Sequence, residues 1–231
     1  MSPRKRGPLT RERVLRAAMK LADAGGFESL TMRKLGNELG VEAMSLYNHV
    51  ANKEDILDGI VDIVFSEIEA PSPGEVHWTR ALRRRAISVR EVLSRHRWAI
   101  ELMESRMNPG PANLRNHDAV MGCLREAGFS FRAAVHAYSV MDAYIYGFAL
   151  QERSLPFETP DEHSQIIETK REHVPDMQRY PYLVEVAMEI AKAGYDYATE
   201  FEFGLDLILD GLERFRAGAS PERLRAPSAS S

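Results

Sequence analysis

The chain has 231 residues, of which 44% are hydrophobic, a composition that supports a packed core and excludes a wholly disordered chain, a collagen-like chain or a coiled-coil rod. Its net charge of −4 conceals an uneven distribution, since residues 1–53 hold ten lysine and arginine residues and five acidic ones, and the remainder holds twenty basic and twenty-nine acidic residues. A basic head of +5 on a body of −9 favours a polyanionic partner for the head, although charge clusters also arise by chance on solvated faces.

Membrane and secretory classes are not expected from the sequence. No apolar run reaches the roughly 18 residues that a membrane-spanning helix needs, and the basic N-terminus is not followed by the apolar region of a secretory signal. Cys123 is the single cysteine, so the chain cannot form an intramolecular disulfide. These features predict a cytoplasmic protein in a reducing compartment.

Helical periodicity dominates the chain and predicts an all-α fold, beginning with three helices in the basic head. Thr10 is placed to cap the first helix, which ends at the glycine pair 25–26. Thr31 is placed to cap the second helix, which Gly40 stops, and a short third helix is predicted at about residues 42–49. A helix, a glycine-containing turn and a short helix make up helix-turn-helix anatomy, in which the second helix of the pair enters the major groove of DNA.

The short third helix is interpreted as the DNA-reading element of a helix-turn-helix domain at residues 9–54. Leu46 and Val50 lie four residues apart, as core positions on a helix do, and leave polar side chains facing outward. Ser45 can then bond a phosphate or a base edge, and Asn48 can pair with adenine through its amide. The alternative interpretation is a solvated corner of a helical bundle. The residues predicted to contact DNA are Arg33, Lys34, Ala43, Met44, Ser45, Tyr47, Asn48, His49 and Lys53.

Basic residues around the short helix fit the same task. Arg33 and Lys34 open the second helix, where their charge adds to backbone amides that suit phosphate. Lys53 begins the next helix, and residues 1–8 form a basic arm, predicted to be flexible, that can follow the DNA backbone or a minor groove. These charges would provide affinity without sequence information, which the short helix would supply.

A fourth helix, capped by Asn52, is predicted to connect the head to the body through residues 55–69. The stretch "APSPGE" at residues 70–75 breaks the helical pattern and marks the domain boundary, and the body is assigned to residues 76–216. Its helices are predicted at residues 77–95, 97–106, 112–127, 131–153, 182–194 and 199–216.

Two parts of the C-terminal half are predicted to lack regular structure. Residues 154–180 combine prolines with many charges, which predicts a long and partly mobile loop. Residues 217–231 have the composition of a disordered tail.

The last helix carries a regular apolar seam. Its residues step by four, three, four and three positions, a spacing suited to packing against a second helix. A helix of the chain's own core has the same spacing, so pattern alone leaves both interpretations open. A dimer suits DNA reading, because two short helices about 34 Å apart discriminate between sequences better than one. The residues predicted to mediate dimerisation are Phe201, Leu205, Ile208, Leu212 and Phe215.

The stretch from Leu9 to about Val64 resembles the DNA-binding domain of the TetR family of transcriptional repressors. The resemblance is carried by "LTMRKLGNELGV", by "SLYNHVANKEDIL" and by the Gly-Phe pair after the first helix. In the body, "EAGFSFRAAVHAYSVMDAYIYGFAL" and "FEFGLDLILDGLERF" resemble the two dimerisation helices of the tetracycline-repressor branch. The resemblance implies a homodimer that binds a palindromic DNA operator and releases it when a small molecule binds the body.

The resemblance also implies DNA contacts for the residues predicted above, with the exception of Lys34. Asn48 replaces the aromatic residue usual before the histidine, so the operator sequence is not carried over. In the body, the positions implied to bind a magnesium–tetracycline complex depart from the family pattern, with Arg85 at the asparagine, Met103 and Ala143 at two histidines, and Gln151 at the glutamate. Since magnesium prefers carboxylate and water oxygens, we expect no metal or cofactor and a more apolar effector.

Aromatic and methionine residues in the body are candidates for lining an effector site, because they adapt to irregular shapes and stack on planar ligands. The same residues at helical spacing are common in a protein core, which is the alternative. A carboxylate at Asp142 needs a partner if it is buried, and a cationic ligand, Arg85 or solvent at a dimer edge could supply one. The predicted lining residues are Trp98, Met103, Tyr138, Met141, Asp142, Ile145 and Tyr146.

Two other function classes, an enzyme and a protein-interaction adaptor, make different demands on the sequence. An enzyme is not expected, because the seven histidines are scattered without a paired metal-ligand spacing, and no glycine-rich phosphate loop is present. A helical protein-interaction adaptor without DNA binding remains the alternative. The two classes differ in salt response, since DNA affinity that rests on phosphate contacts falls steeply with salt.

Overall fold

The computed structural model describes residues 8–106, 108–154, 179–193 and 196–218, and these residues contain helices but no β-strand. The predicted all-α fold is therefore confirmed. Most of the predicted N-terminal arm, of the loop at 154–180 and of the C-terminal tail lies outside the described residues. The helices are α1 Arg11–Gly25, α2 Met32–Leu39, α3 Ala43–Leu46, α4 Lys53–Ser66, α5 Trp78–Arg95, α6 Ala99–Ser105, α7 Pro111–Glu126, α8 Phe131–Ser154, α9 Pro181–Ala193 and α10 Tyr197–Gly218, with a 3₁₀ turn at Phe27–Ser29. In these ranges, no helix combines the length and the apolar character needed to span a bilayer.

The head is built on the caps that the sequence predicts. The side chains of Thr10, Thr31 and Asn52 accept hydrogen bonds from the backbone N–H three residues further on, at 3.2, 3.2 and 2.9 Å. Gly40 ends α2 in the left-handed conformation, with φ of 68°, which glycine adopts without steric cost. Each cap satisfies a backbone group that a helix end leaves without a partner.

The turn between α2 and α3 requires close approach of two backbone segments. A Cβ atom at Gly36 would lie 2.8 Å from the carbonyl oxygen of Val41, so a larger residue there would push α3 away from α2. Leu46 and Val50 are buried beside Leu35 and Leu39, as predicted. This packing holds α3 against α2. A helix of only four residues would not be stable alone.

The third helix is shorter than predicted. It covers Ala43–Leu46 instead of residues 42–49, and residues 47–49 continue as a turn. The N–H groups of Tyr47, Asn48 and His49 bond carbonyl oxygens three residues earlier, which is the tighter 3₁₀ pattern common at helix ends. In the body, by contrast, each predicted helix begins and ends within two residues of its predicted bounds.

Helix α4 joins the head to the body. It packs on α1 in the head and on α6 and α7 in the body, and its apolar residues are buried along its whole length. The break predicted at residues 70–75 is present, because no helix forms between α4 and α5. In the body, α5 packs against α7, α8 and α10 to form the core. A movement of α4 relative to α6 or α7 would therefore also move α4 relative to α1 in the head.

Candidate DNA-contact surface and body cavity

The short helix and the turn after it present polar side chains on the surface of the head. Met44, Tyr47 and Asn48 are exposed, Met44 by 75%, whereas Ala43, Ser45 and His49 are half-buried. We call residues 43–49 the reading segment. The other predicted DNA-contact residues flank it, with Arg33 and Lys34 exposed in the first turn of α2 and Lys53 half-buried at the start of α4. The nine predicted residues thus lie on α2, on the reading segment and at the start of α4, and α2 packs against α3.

An ion pair that the sequence did not predict holds the reading segment in place. Arg11 of α1 donates to both carboxylate oxygens of Asp55 in α4, at 2.8 and 2.6 Å, and to the carbonyl oxygen of His49 at 3.4 Å. Asp55 also accepts the backbone N–H of Ala51 at 2.8 Å. The hydrogen bond from Arg11 lowers the pKa of Asp55 below its ordinary value of 3.8. One carboxylate therefore connects α1, the end of the reading segment and α4.

Replacing Asp55 by asparagine is expected to lower the free energy of unfolding by about 1 kcal/mol at neutral pH, because the pair is partly exposed and solvent screens it. The lowered pKa means that Asp55 stabilises the fold above pH 4 and loses this effect as the pH falls through its folded-state pKa. Urea titrations at pH 7 and pH 3 measure the difference. A wild-type advantage that persists undiminished at pH 3 would contradict the ion-pair role.

The body contains a cavity of about 700 Å³ between α4, α6, α7 and α8. Four of the seven predicted effector-contact residues line it, namely Met103, Tyr138, Asp142 and Tyr146. The cavity has nine further lining residues that the sequence did not predict. Some of them are small or polar, and others lie on α4, α6 or α7, whose approach to α8 no local pattern indicates. The lining residues that were not predicted are Phe65, Ile100, Glu101, Asn113, His117, Ser139, Ala143, Gly147 and Leu150.

Three predicted effector-contact residues do not line this cavity. Met141 and Ile145 are buried in the core, because they lie on the side of α8 that faces the body interior. Trp98 lies where the head meets the body, and its indole N–H donates to the Asp23 carboxylate of α1 at 2.6 Å. The neighbouring His96 ring also contacts Asp23, at 2.7 Å. None of the three therefore lines this cavity, and Trp98 is part of the contact between head and body.

A buried ion pair lies behind the cavity wall. The Arg85 guanidinium is 2% exposed, and its Nη1 donates to Oδ1 of Asp142 at 3.0 Å. Its Nε donates to the side-chain oxygen of Asn116, also at 3.0 Å. Arg85 is thus the partner of Asp142 among the three that the sequence left open. Tyr138 stacks on His117 with ring centroids 4.3 Å apart, and the Arg85 guanidinium lies 5.8 Å from the same tyrosine ring.

The cavity wall offers oxygen and nitrogen atoms but no metal site. In the described part of the chain, no group of three histidine, cysteine or carboxylate side chains is arranged to hold a metal ion. Arg85 occupies the position that the resemblance equates with a ligand-binding asparagine, and a guanidinium cannot donate an electron pair to a metal. The chemistry of the wall suits an organic molecule with hydrogen-bonding groups.

Two polar contacts attach the cavity helices to α4. Arg106, at the end of α6, donates to the carbonyl and carboxylate oxygens of Glu54 at 3.1 and 3.0 Å, and it also bonds Asp58. Asp62 accepts the backbone N–H groups of Ala112 and Asn113 in the first turn of α7, at 2.8 and 3.1 Å. A displacement of α6 or α7 by a bound molecule would therefore act directly on α4.

The predicted dimerisation seam faces the chain's own core. Phe201, Leu205 and Leu212 are buried within the single chain, and the Phe201 ring stacks on Tyr144 of α8 at 5.5 Å. Ile208 is half-buried and Phe215 is 38% exposed. The four-three spacing fits an intramolecular helix contact equally well, and Phe201, Leu205 and Leu212 make such a contact within the single chain.

A different apolar face of α8 and α10 is exposed. Phe203 and Leu207 of α10 are 64% and 56% exposed, and Val140 of α8 is exposed as well. A Cβ atom at Gly211, four residues after Leu207, would meet nothing within 4 Å. Large apolar side chains beside a bare glycine make a surface on which another helix can pack closely. We call Val140, Phe203, Leu207 and Gly211 the outer face.

Comparison with known proteins gives matches along most of the chain. The profile described as "Bacterial regulatory proteins, tetR family" matches residues 14–60, and the profile described as "Tetracyclin repressor-like, C-terminal domain" matches residues 70–216. The HTH-type transcriptional repressor DrrR1 of Streptomyces coeruleorubidus is 34% identical over 221 residues, covering 90% of this chain and 80% of that protein. The tetracycline repressor protein class D of Escherichia coli is 31% identical over 211 residues, covering 89% of each.

A solved structure shares the fold over nearly the whole chain. The crystal structure of Streptomyces coelicolor ActR in complex with actinorhodin superposes with a TM-score of 0.73 at 28% sequence identity. The match covers 91% of this chain and 99% of that one.

Proposed function

Because the chain belongs to the TetR family of bacterial transcriptional regulators, we propose that it is a repressor that binds a palindromic operator as a homodimer and is released by a small molecule. The observation that carries this proposal is the exposure of the reading segment on a firmly packed base. Asn48 is exposed and Ser45 and His49 are partly accessible, while Leu46 and Val50 are buried beneath them. A helix held in this way can enter a major groove with its polar side chains directed at base edges.

The roles of the DNA-contact residues differ by their chemistry. Arg33 and Lys34 lie beside the N-terminal amides of α2, a position that suits phosphate oxygens and supplies affinity for any sequence. Asn48 is exposed within the reading segment, and its amide has the donor and acceptor needed to recognise adenine. Met44 provides an apolar contact for a thymine methyl group.

This division of roles predicts two different phenotypes. Arg33→Ala is expected to weaken binding to all duplexes alike and to reduce by about one the slope of log affinity against log salt. Asn48→Ala is expected to cost about 1–3 kcal/mol at one base pair and to relax the choice of base there. Selection of bound sequences from random duplex DNA, followed by titrations with single-base variants, measures both effects. The opposite pattern would mean that the two roles are assigned wrongly.

We assign dimerisation to the outer face in place of the seam predicted from the sequence. Phe203 and Leu207 are large apolar side chains that a single chain leaves in solvent, which burial against a second copy would relieve. Gly211 permits close approach of two helix backbones, and Val140 extends the face onto α8. An isologous contact through this face would relate the two heads by a twofold axis, as a palindromic operator requires.

The effector is proposed to occupy the cavity of about 700 Å³ and to contain several fused or linked aromatic rings. The cavity is of the size that drug-like ligands occupy, and its wall is largely apolar and aromatic. ActR of Streptomyces coelicolor, which shares the fold, has been crystallised in complex with actinorhodin. Met103 and Tyr146 are the proposed apolar contacts, and Asp142 is the proposed polar contact.

Release is proposed to work through α4. A molecule in the cavity displaces α6 or α7. Arg106 connects α6 to α4, and Asp62 of α4 bonds the first turn of α7. Helix α4 in turn holds the reading segment through the ion pair between Asp55 and Arg11. The effector thus favours an arrangement in which the two reading segments no longer match adjacent major grooves, a shift of population that needs different affinities for the two arrangements.

Replacing Arg106 by glutamine is expected to weaken this coupling. The ratio of operator affinities without and with effector should fall by about tenfold, which lies within the usual range for residues that transmit such signals. The measurement is operator titration in the absence and presence of a compound found to release the wild-type protein. Arg115→Gln, at an exposed position on α7, is the control. Equal loss of coupling in the two variants would contradict a specific role for Arg106.

The alternative function is a helical adaptor that binds another protein and not DNA. The two are separated by titrating the protein with its selected duplex between 50 and 200 mM salt. A DNA-binding dimer is expected to lose affinity by a factor of about a thousand or more over this range. A flat response, or no selected sequence at all, would favour the adaptor.

A further inference from the structure

The charged groups on the wall of the effector cavity are carboxylates, and the arginines that pair with them lie outside the lining. Two carboxylates, Asp142 and Glu101, line the cavity, and no lysine or arginine does. The remaining polar lining groups are an imidazole, an amide and hydroxyls, which provide no permanent positive charge. A ligand in the cavity therefore meets these two carboxylates before it meets the arginines that pair with them.

Asp142 is placed to bind a group that the chain itself does not supply. Its Oδ1 accepts from Arg85, and no donor among the described residues contacts its Oδ2. The residue is 9% exposed and forms part of the cavity wall. A ligand that fills the cavity removes this oxygen from water, which is costly unless a hydrogen-bond donor on the ligand takes the place of the water.

The positive charge of Arg85 does not make the cavity a site for anions. Its guanidinium is 2% exposed, lies behind Asp142 and Asn116, and is absent from the cavity lining. An anionic ligand would meet the carboxylate of Asp142 before it could reach the guanidinium. Glu101 is paired with Arg153, which lies outside the lining, so the same argument holds at the second carboxylate.

The uncharged part of the cavity wall indicates which kind of molecule would fit there. Phe65, Ile100, Met103 and Leu150 are apolar and Tyr146 is aromatic. We propose that the effector is an amphiphilic cation, a molecule of several aromatic rings that carries a protonated amine, with the amine bound by Oδ2 of Asp142. This inference rests on the proposed function in one respect, namely that this cavity is the effector site.

The test compares three probes that share an anthraquinone core and differ in charge. Mitoxantrone carries protonated amines, quinizarin is neutral and quinizarin-2-sulfonate is an anion. Equilibrium dialysis against the full-length protein without DNA is expected to give the tightest binding for mitoxantrone, by at least about tenfold over quinizarin, and the weakest for the sulfonate. Equal affinities, or tightest binding of the sulfonate, would overturn the proposal.

A second arm assigns the effect to Asp142. Asp142→Asn is expected to weaken mitoxantrone binding by about ten- to a hundredfold and quinizarin binding by less than about threefold. Glu101→Gln, whose carboxylate is 43% exposed and therefore screened by solvent, should weaken mitoxantrone binding by only a few fold. Thermal melting checks that each variant is folded, and if Asp142→Asn is not, the ranking of the three probes on the wild-type protein decides the matter. Equal losses for mitoxantrone and quinizarin in a folded Asp142→Asn would refute the assignment.

The outcome is separable from that for the proposed function. Probe binding is measured on protein alone, so the charge ranking stands even if no probe releases the operator. Conversely, release of the operator by a neutral compound that binds as tightly as its cationic analogue would support effector control and refute the proposed charge.

Discussion

Replacing Leu207 by arginine is expected to convert the protein to a monomer and to lower operator affinity by about a thousandfold. Leu207 is 56% exposed in the single chain, so the substitution leaves the core intact. In a twofold contact each arginine would lie near the partner's copy, where burial of two like charges is unfavourable. A monomer reads only one half-site, and the loss of the second removes most of the difference between specific and non-specific binding.

Leu114→Arg provides a matched control for this prediction. Leu114 is also 56% exposed, but it lies on α7 and not on the outer face. Light scattering combined with size-exclusion chromatography gives the mass of each variant, and operator titration gives its affinity. A dimeric Leu207→Arg, or a Leu114→Arg that dissociates as readily, would show that dimerisation does not use the outer face.

The helix caps and the buried positions of the head could be predicted from the sequence, because the contacts that cause them lie within a few residues. Thr10, Thr31 and Asn52 each bond a backbone N–H three positions further on, and such contacts form wherever a helix begins with that residue type. The burial of Leu46 and Val50 followed from their spacing alone. The ends of the reading segment were less accessible, since a short helix is tightened into 3₁₀ turns by neighbours that no local pattern specifies.

The face of a helix was harder to predict than the helix itself. Helix α10 carries two apolar stripes, one through Phe201 and Leu205 and one through Phe203 and Leu207, and each has a helical spacing. Only the positions of α5 and α8 decide that the first stripe is buried within the chain and the second is exposed. The sequence favoured the more regular stripe as the dimer contact, and that stripe belongs to the core.

The polar cluster behind the cavity depends on three helices that are distant in sequence. Asn116 and Asp142 lie 31 and 57 residues from Arg85, and only the packing of α5, α7 and α8 brings them together. The sequence could state that a buried Asp142 needs a partner and could name Arg85 as one of three. It contained no signal for Asn116, because a single asparagine on a helix is ordinary at the surface as well.

Replacing Asp142 by alanine is expected to lower the free energy of unfolding by about 3 kcal/mol, the second large effect. The substitution removes the counter-charge of Arg85, which is 2% exposed, and leaves a cation in the interior with two uncharged partners, the Asn116 side chain and the Tyr138 ring. The cost arises from the unpaired charge and not from the value of the ion pair itself. Urea unfolding at a fixed protein concentration measures it, since the proposed dimer would make stability depend on concentration.

Asp206→Ala is the control, because Asp206 pairs with Arg83 at 2.8 Å but both side chains are more exposed. Its removal should cost no more than about 1 kcal/mol, since water replaces the lost partner. The double variant Arg85→Met with Asp142→Leu removes both charges and is expected to recover most of the stability lost in Asp142→Ala. If Asp142→Ala costs no more than Asp206→Ala, water from the cavity must already solvate Arg85, and its charge would then be accessible to an effector from the same side.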